Sequence, residues 1–332
     1  MTRFYPIVSV CSTLAVPEIC NFVLLSMVAP ILPPPLKAGS VIGLCAPARK
    51  VTPAEMAPGI ALLESWGYRV KTAHNLYGEH HQFSGTDEQR AADLQALLHD
   101  PEVEAIISAR GGYGCVRLVD RIDWSPLRSN PKWIIGFSDL TVLHSHLHRH
   151  LGLATLHAPM VYSMAEERTL PLALESLRKT LQGERIAIHA DAHPQNRQGN
   201  CEGILVGGNL SLLYALSGTA SDIDTTGKIL FIEDLDEYLY HIDRMLMQLK
   251  RSGKLSGLKG LVVGGMSDMK DNVVPYGKTA EAIIAEAVAE YDYPVCMGFP
   301  SGHIADNRTL VLGSSYTLSV AGSVTLTHSP AR

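Results

Sequence analysis

No Cys-x-x-Cys pair occurs anywhere in the chain; the six cysteines stand apart at 11, 20, 45, 115, 201 and 296. That spacing offers neither a zinc ribbon nor a thioredoxin-like redox site, and it forces no disulfides. Excess basic charge is also missing. The net charge of −5 argues against a general nucleic-acid binder, which carries a basic face. The full G-x-G-x-x-G fingerprint is absent, which weakens any dinucleotide-binding reading. Neither an internal repeat nor a low-complexity tract is present. Residues 4–32 are apolar-rich, but Pro6, Pro17 and Glu18 interrupt them. Spanning a membrane takes ~20 mostly apolar residues, so stable insertion is not expected. Residues 1–36 read either as an extension upstream of a start at Met27 or as a degenerate export signal.

What is present begins at Lys37. Predicted strands at 40–46, 69–73, 105–108, 132–136 and 154–156 alternate with helices at 53–66, 87–98, 115–121, 140–150 and 170–181. Thr52 and Thr86 are candidate N-caps. Such alternation predicts an α/β protein with a mainly parallel sheet covered on both faces. The polar stretch 184–200 reads as a linker, dividing a first domain (37–183) from a second (201–332). In the second, strands are expected at 203–206, 228–232, 260–264 and 294–297, and helices at 210–216, 238–249 and 279–291. Residues 310–312 and 316–320 suggest a terminal hairpin.

The segment Ile134-Ile135-Gly136-Phe137-Ser138-Asp139-Leu140 has the layout of a nucleophile elbow. There a tight strand-to-helix turn lifts a serine hydroxyl off the end of a sheet. Taken alone, Ser138 also reads as a helix N-cap. Glu233 ends a predicted apolar strand; its plainer reading is one carboxylate in an acidic solvated loop. The carboxylates of that loop lack the spaced ligands and glycine of a calcium site. His303 lies in the glycine-containing loop after another strand, where an ordinary exposed histidine would also fit.

Together these residues gain weight. Each lies beyond the carboxyl end of a predicted strand, where ligands bind in such sheets. Their order, serine then acid then histidine, is that of one large hydrolase class. His303 would accept the Ser138 proton, and Glu233 would orient the imidazole. The amide of Asp139 and those of Gly111 and Gly112 are candidate oxyanion donors. With Ser138 in the first domain and the other two in the second, the site would span the cleft between them. The histidines 144, 146, 148 and 150 have the i, i+4 spacing of zinc ligands, but no H-E-x-x-H is completed. A solvated helix face is expected, and no metal is assigned.

The ordered set Arg110-Gly111-Gly112-Tyr113-Gly114, Gly136-Phe137-Ser138-Asp139, Gly207-Gly208-Asn209-Leu210, Ile232-Glu233-Asp234 and Gly302-His303 resembles the LD-carboxypeptidases. These are serine peptidases with a Ser-Glu-His triad. The resemblance runs from about Val41 to Val320 and takes in Ile242-Asp243-Arg244-Met245-Leu246; Phe137 replaces the commoner Tyr or His. It implies a flavodoxin-like N-terminal domain, a smaller β-rich C-terminal domain and an active site between them. It further implies removal of the terminal D-Ala from murein tetrapeptide during cell-wall recycling, usually in the cytoplasm. An exported form would act in the periplasm. A homodimer without cofactor is also implied. Substrate carboxylates need cationic or amide partners; Arg110, Arg244 and Asn209 are the candidates, each with a structural reading beside it (an ion pair for the arginines, a helix cap for Asn209). A second branch of the family hydrolyses peptide-nucleotide antibiotic amides. A non-catalytic two-domain binder is the reading from another class.

Overall fold

Short apolar runs with turn residues at their ends build the first layer. In the computed structural model, which describes residues 30–165 and 168–329, this layer contains β1 (Val41–Cys45), α1 (Pro53–Ser65), β2 (Arg69–Thr72), α2 (Asp87–His99), β3 (Val103–Ser108), the one-turn α3 (Pro126–Ser129), β4 (Trp133–Gly136), α4 (Thr141–Leu151), β5 (Thr155–His157) and α5 (Pro171–Leu181). Thr52 and Thr86 cap α1 and α2 as expected. Each accepts from the backbone of the third helical residue, Glu55 or Gln89, whose side chain returns to the cap's N–H. The predicted helix at 115–121 is instead two 3-10 turns, 115–117 and 119–121.

The second layer follows as β6 (Ala187–Ala190), β7 (Gly199–Asn209), α6 (Leu210–Leu216), β8 (Ile229–Leu235), α7 (Leu239–Arg251), β9 (Gly260–Ser267), α8 (Ala280–Ala287), β10 (Val295–Cys296), β11 (Leu310–Leu312), β12 (Ser315–Val320) and β13 (Val324–His328). The first sheet has the order β11-β5-β4-β3-β1-β2, and the second β10-β9-β8-β7-β12-β13-β6. The fold is thus mixed α/β, with a largely parallel first sheet and a second sheet whose β12, β13 and β6 pair antiparallel.

Three expectations change. The stretch 184–200 is not simply a linker: β6 lies within it and forms the edge of the second sheet beside β13. Residues 310–312 and 316–320 do not form a hairpin. β11 pairs antiparallel with β5 in the first sheet, whereas β12 pairs with β7 and β13 in the second. The chain therefore crosses back between the layers at Gly313. Residues 30–36, grouped with the N-terminal extension, pack on the first layer. Ile31 bridges Leu153, the Trp133 indole donates to Pro34 O at 2.9 Å, and Leu36 N–H donates to Leu181 O at 2.7 Å. The rest of the extension, 1–29, lies outside the described residues.

Alternation along the strands sorts the cores. In β1, Val41 and Cys45 face a cluster built with Leu94, Leu98, Leu143 and Leu147 of α2 and α4. Ile42 and Leu44 face the other side with Met56 and Leu63 of α1. That second cluster continues through Leu310, Val311 and Leu312 to Phe231, Val262 and Leu318 of the second sheet. One apolar core therefore joins the two layers, with each fully buried leucine or isoleucine contributing about 1.5–3 kcal/mol. The outer face of the second sheet is closed by α6, α7 and α8. Among the described residues no helix is long and apolar enough to cross a membrane.

Candidate active site

The elbow forms where β4 ends. Ser138 has φ 63°, a left-handed backbone that a non-glycine residue adopts only under constraint from its surroundings. Gly111, at the end of neighbouring β3, is what lets the turn approach. A Cβ there would stand 3.1 Å from Ser138 Oγ and 3.0 Å from its Cβ. Gly111 is buried against the serine, while Gly112 is exposed one residue further on. Asp139 does more than follow the serine. Its buried carboxylate accepts the Cys115 N–H at 2.8 Å, tying the end of the 110–114 loop to the elbow. Burial pushes the Asp139 carboxyl above its usual range.

Glu233 does not hang in a solvated loop. β8 runs on to Leu235, and Glu233 is fully buried within it at 0% exposure. The β8–β9 register shifts between Ile232 and Asp234, so Glu233 sits at an irregularity that re-aims its side chain. Glu233 Oε2 receives His303 Nδ1 at 2.6 Å and the His303 backbone N–H at 3.1 Å. Burial alone would raise the Glu233 carboxyl, but the His303 charge, with His157 and the hydrogen bonds beside it, outweighs this and holds it down at about 2. On His303 burial works downward, yet Glu233 and Asp234 raise the imidazole above its ordinary value.

His303 reaches the serine side through Phe137, whose ring centroid is 4.8 Å from that of the imidazole. Ser267 Oγ donates to His303 O at 2.7 Å and fixes the loop from behind. The histidine is 15% exposed, open enough to exchange protons with a bound molecule.

The Gly207-Gly208-Asn209 motif is a packing device between layers. Gly208 has φ 140°, and a Cβ on it would lie 2.5 Å from Thr141 Oγ1 at the start of α4. That same hydroxyl accepts the Asn209 N–H at 2.9 Å. The Asn209 side chain caps α6 through Leu212 N–H and donates to Asp234 Oδ1 at 2.9 Å. The helix-cap reading of Asn209 is thus the one its hydrogen bonds describe, with a carboxylate contact added. Asp234 also accepts the Ser211 N–H; burial, the leading cause, and the neighbouring Glu233 raise its carboxyl to about 7.

Arg110 lies beside Gly111, with its guanidinium 4.0 Å over the Tyr162 ring and Nη1 3.7 Å from Glu55 Oε1. Arg244 is exposed on α7 over the Tyr240 ring at 5.5 Å. The histidine helix departs from expectation. His144 and His146 are buried because α4 lies between the two layers, with β7 and α6 against it. His144 Nε2 bonds Gly136 O at 2.9 Å, and His146 Nδ1 bonds Ser221 Oγ at 2.9 Å. Burial pushes the His144 imidazole down to about 3. Among the described residues no cluster of three or more His, Cys, Asp or Glu is arranged to hold a metal ion. One residue that sequence reasoning passed over is His157, at the end of β5, fully buried with Nε2 3.9 Å from Glu233 Oε1. Its only sequence signal is its place at the end of a strand.

A strained serine turn at the end of β4, whose neighbour Phe137 packs on a histidine that a buried glutamate of the second layer holds, suits a serine-type hydrolase. The comparisons with known proteins narrow the class. The model for the LD-carboxypeptidase N-terminal domain matches residues 42–158, and that for the C-terminal domain matches 202–318. A probable murein peptide carboxypeptidase of Bacillus subtilis is 36% identical over 296 residues, covering 87% of this chain and 92% of that one. The murein tetrapeptide carboxypeptidase of Pseudomonas aeruginosa is 31% identical over 290 residues, covering 83% and 92%. The crystal structure of muramoyltetrapeptide carboxypeptidase from Oxalobacter formigenes superposes with a TM-score of 0.80 at 30% identity, covering 88% of this chain and all of that one. The chain belongs to the LD-carboxypeptidase family and is a serine carboxypeptidase.

Proposed function

We propose that this enzyme removes the terminal D-Ala from murein tetrapeptide, L-Ala-γ-D-Glu-meso-diaminopimelate-D-Ala, through an acyl-enzyme on Ser138, with His303 as base and Glu233 as its orienting acid. The observation that carries the reading is the short Glu233–His303 bond held beside a serine with left-handed backbone. A serine hydroxyl is a weak nucleophile until a base takes its proton. His303 Nδ1 is committed to Glu233, which leaves Nε2 for the serine proton. No hydrogen bond joins Ser138 Oγ to His303 among the described residues. Such bonds commonly tighten only when substrate fills the site.

Ser138 Oγ adds to the carbonyl carbon of the diaminopimelate–D-Ala amide as its proton passes to His303 Nε2. The carbonyl oxygen becomes an oxyanion facing the amides of Asp139 and Gly111, with Gly112 next in line. The carbon–nitrogen bond then breaks, and His303 returns the proton to the leaving amine of D-Ala. Water, deprotonated by the same imidazole, attacks the acyl-enzyme and releases the tripeptide. Arg110, directly before Gly111, is the candidate partner of a substrate carboxylate. The reading includes a cytoplasmic setting and a homodimer, the latter checked by sedimentation equilibrium.

The test is D-Ala release from murein tetrapeptide by the wild type and Ser138→Ala, both with EDTA present. Release by the wild type alone is expected. Equal release by both proteins overturns Ser138 as nucleophile. No release by either moves the substrate to the peptide-nucleotide amides of the other branch.

A further inference from the structure

Two buried polar atoms without hydrogen-bond partners among the described residues face each other across the junction of the layers. One is His157 Nε2, the other Glu233 Oε1, the carboxylate oxygen that His303 leaves unused. Both side chains are 0% exposed, and the atoms stand 3.9 Å apart. Leaving a buried carboxylate oxygen without a donor costs about 1–3 kcal/mol or more, so each atom is the other's natural partner. The imidazole has little freedom to turn elsewhere. Its ring is bracketed by Phe137 at 5.7 Å and Phe231 at 5.0 Å between centroids, and its Nδ1 borders Ser301 Oγ at 3.4 Å. β5 lies beside β4 with His157 in register with Gly136, two residues before Ser138. The same ring thus sits against the serine turn and against the acid.

We propose that His157 is a positioning residue: its Nε2–H donates to Glu233 Oε1, so that one carboxylate is held between two imidazoles, His157 on Oε1 and His303 on Oε2. Closing the gap to hydrogen-bond length needs a shift of about 1 Å. The donor keeps Glu233 ionised and fixes the carboxylate plane, which in turn aims the His303 ring. His157 touches neither substrate nor the reacting atoms; it acts through Glu233. The inference rests on the proposed roles of Glu233 and His303.

Glu233 and Asp234 on β8 act on His303, while Glu233 and His144 of α4 face His157. Removing the Oε1 donor leaves the carboxylate charge to His303 alone and strengthens that imidazole's hold on its proton. The His303 titration then moves to higher pH, and the acid limb of kcat/KM moves with it.

The experiment compares the wild type with His157→Phe, His157→Gln and His303→Ala. It reads kcat and KM on murein tetrapeptide, urea midpoints, and the His303 ring titration in nitrogen-15 histidine NMR spectra. His157→Phe keeps the aromatic packing but cannot donate. It is expected to lower kcat about 10²-fold, the scale of a misaimed catalytic group, with KM unchanged and His303 titrating at higher pH. His157→Gln, whose amide can reach Oε1, is expected to restore most of kcat and the wild-type titration. A His157→Phe protein with wild-type kcat and titration overturns the proposal. So do equal losses in Phe and Gln variants that track a fall in urea midpoint, because they mark a packing role alone. Full activity in His303→Ala sinks the triad reading instead, and the NMR titration still reports the His157–Glu233 link independently of turnover.

Discussion

Glu233 Oε2 receives both the side chain and the backbone of His303, at 2.6 Å from Nδ1 and 3.1 Å from N. The imidazole is therefore fixed in position as well as in charge. Because Glu233 and Asp234 raise its pKa, the neutral form that the proposed base role needs becomes available only above the ordinary imidazole range. The acid limb of kcat/KM is expected above the histidine value of 6.5. Glu233→Gln should move that limb down and lower kcat about 10³–10⁴-fold, judged from acid-to-amide changes in comparable triads. A pH–rate profile of both proteins checks this; an unmoved limb removes Glu233 from the role.

Both members of the pair stabilise the fold, and their contributions are lost at opposite ends of the pH range. Glu233 titrates lower when folded, so its contribution is present above the unfolded value of 4.5 and is lost as pH falls toward about 2. His303 titrates higher when folded. Its contribution is complete below the unfolded value of 6.5 and is lost as pH rises through the raised one. Urea midpoints of the wild type are expected to fall at both ends, and those of His303→Ala should fall less on the alkaline side. Parallel alkaline curves for the two proteins would count against the coupling.

Ser138 carries its hydroxyl on a backbone at φ 63°. Glycine relieves that conformation and alanine does not, so Ser138→Gly should be about 1 kcal/mol more stable than Ser138→Ala. Both should be inactive. Equal denaturation midpoints would mean that the turn is not strained.

Asp139 spends its carboxylate on the Cys115 N–H. Asp139→Ala leaves that buried donor unpaired and is expected to cost about 1–3 kcal/mol. It should also lower kcat, because the loop bearing Gly111 and Gly112 loses its tether. Stability and kcat measured on one preparation separate this from a purely structural change, which would leave kcat intact.

Gly208 packs its bare Cα against Thr141, with room for nothing larger. Gly208→Ala is expected to destabilise the protein by about 2 kcal/mol or more, through both backbone and clash. Adding Thr141→Gly should recover the clash but not the backbone part. A double-mutant cycle with no coupling would disprove the contact.

The sequence by itself determined a good deal. The alternation of apolar strands and amphipathic helices announced the α/β layers, since period and capping are local properties. Ser138, Glu233 and His303 are legible as candidates for the same reason: each is marked by the end of an apolar run and by nearby glycine or acidic neighbours. Only the tertiary structure decided what long-range pairing decides. β11 leaves the second layer to pair with β5, and β6 joins β13 from a stretch with no apolar period. Neither pairing leaves a trace in local spacing. His144 and His146 of α4 read as solvated because polar side chains usually are, but this part of α4 lies between two layers that the chain assembles from distant segments. His157 carried no pattern of its own. Its meaning comes from a glutamate 3.9 Å away in space and far away in sequence, buried with it at the junction of the layers.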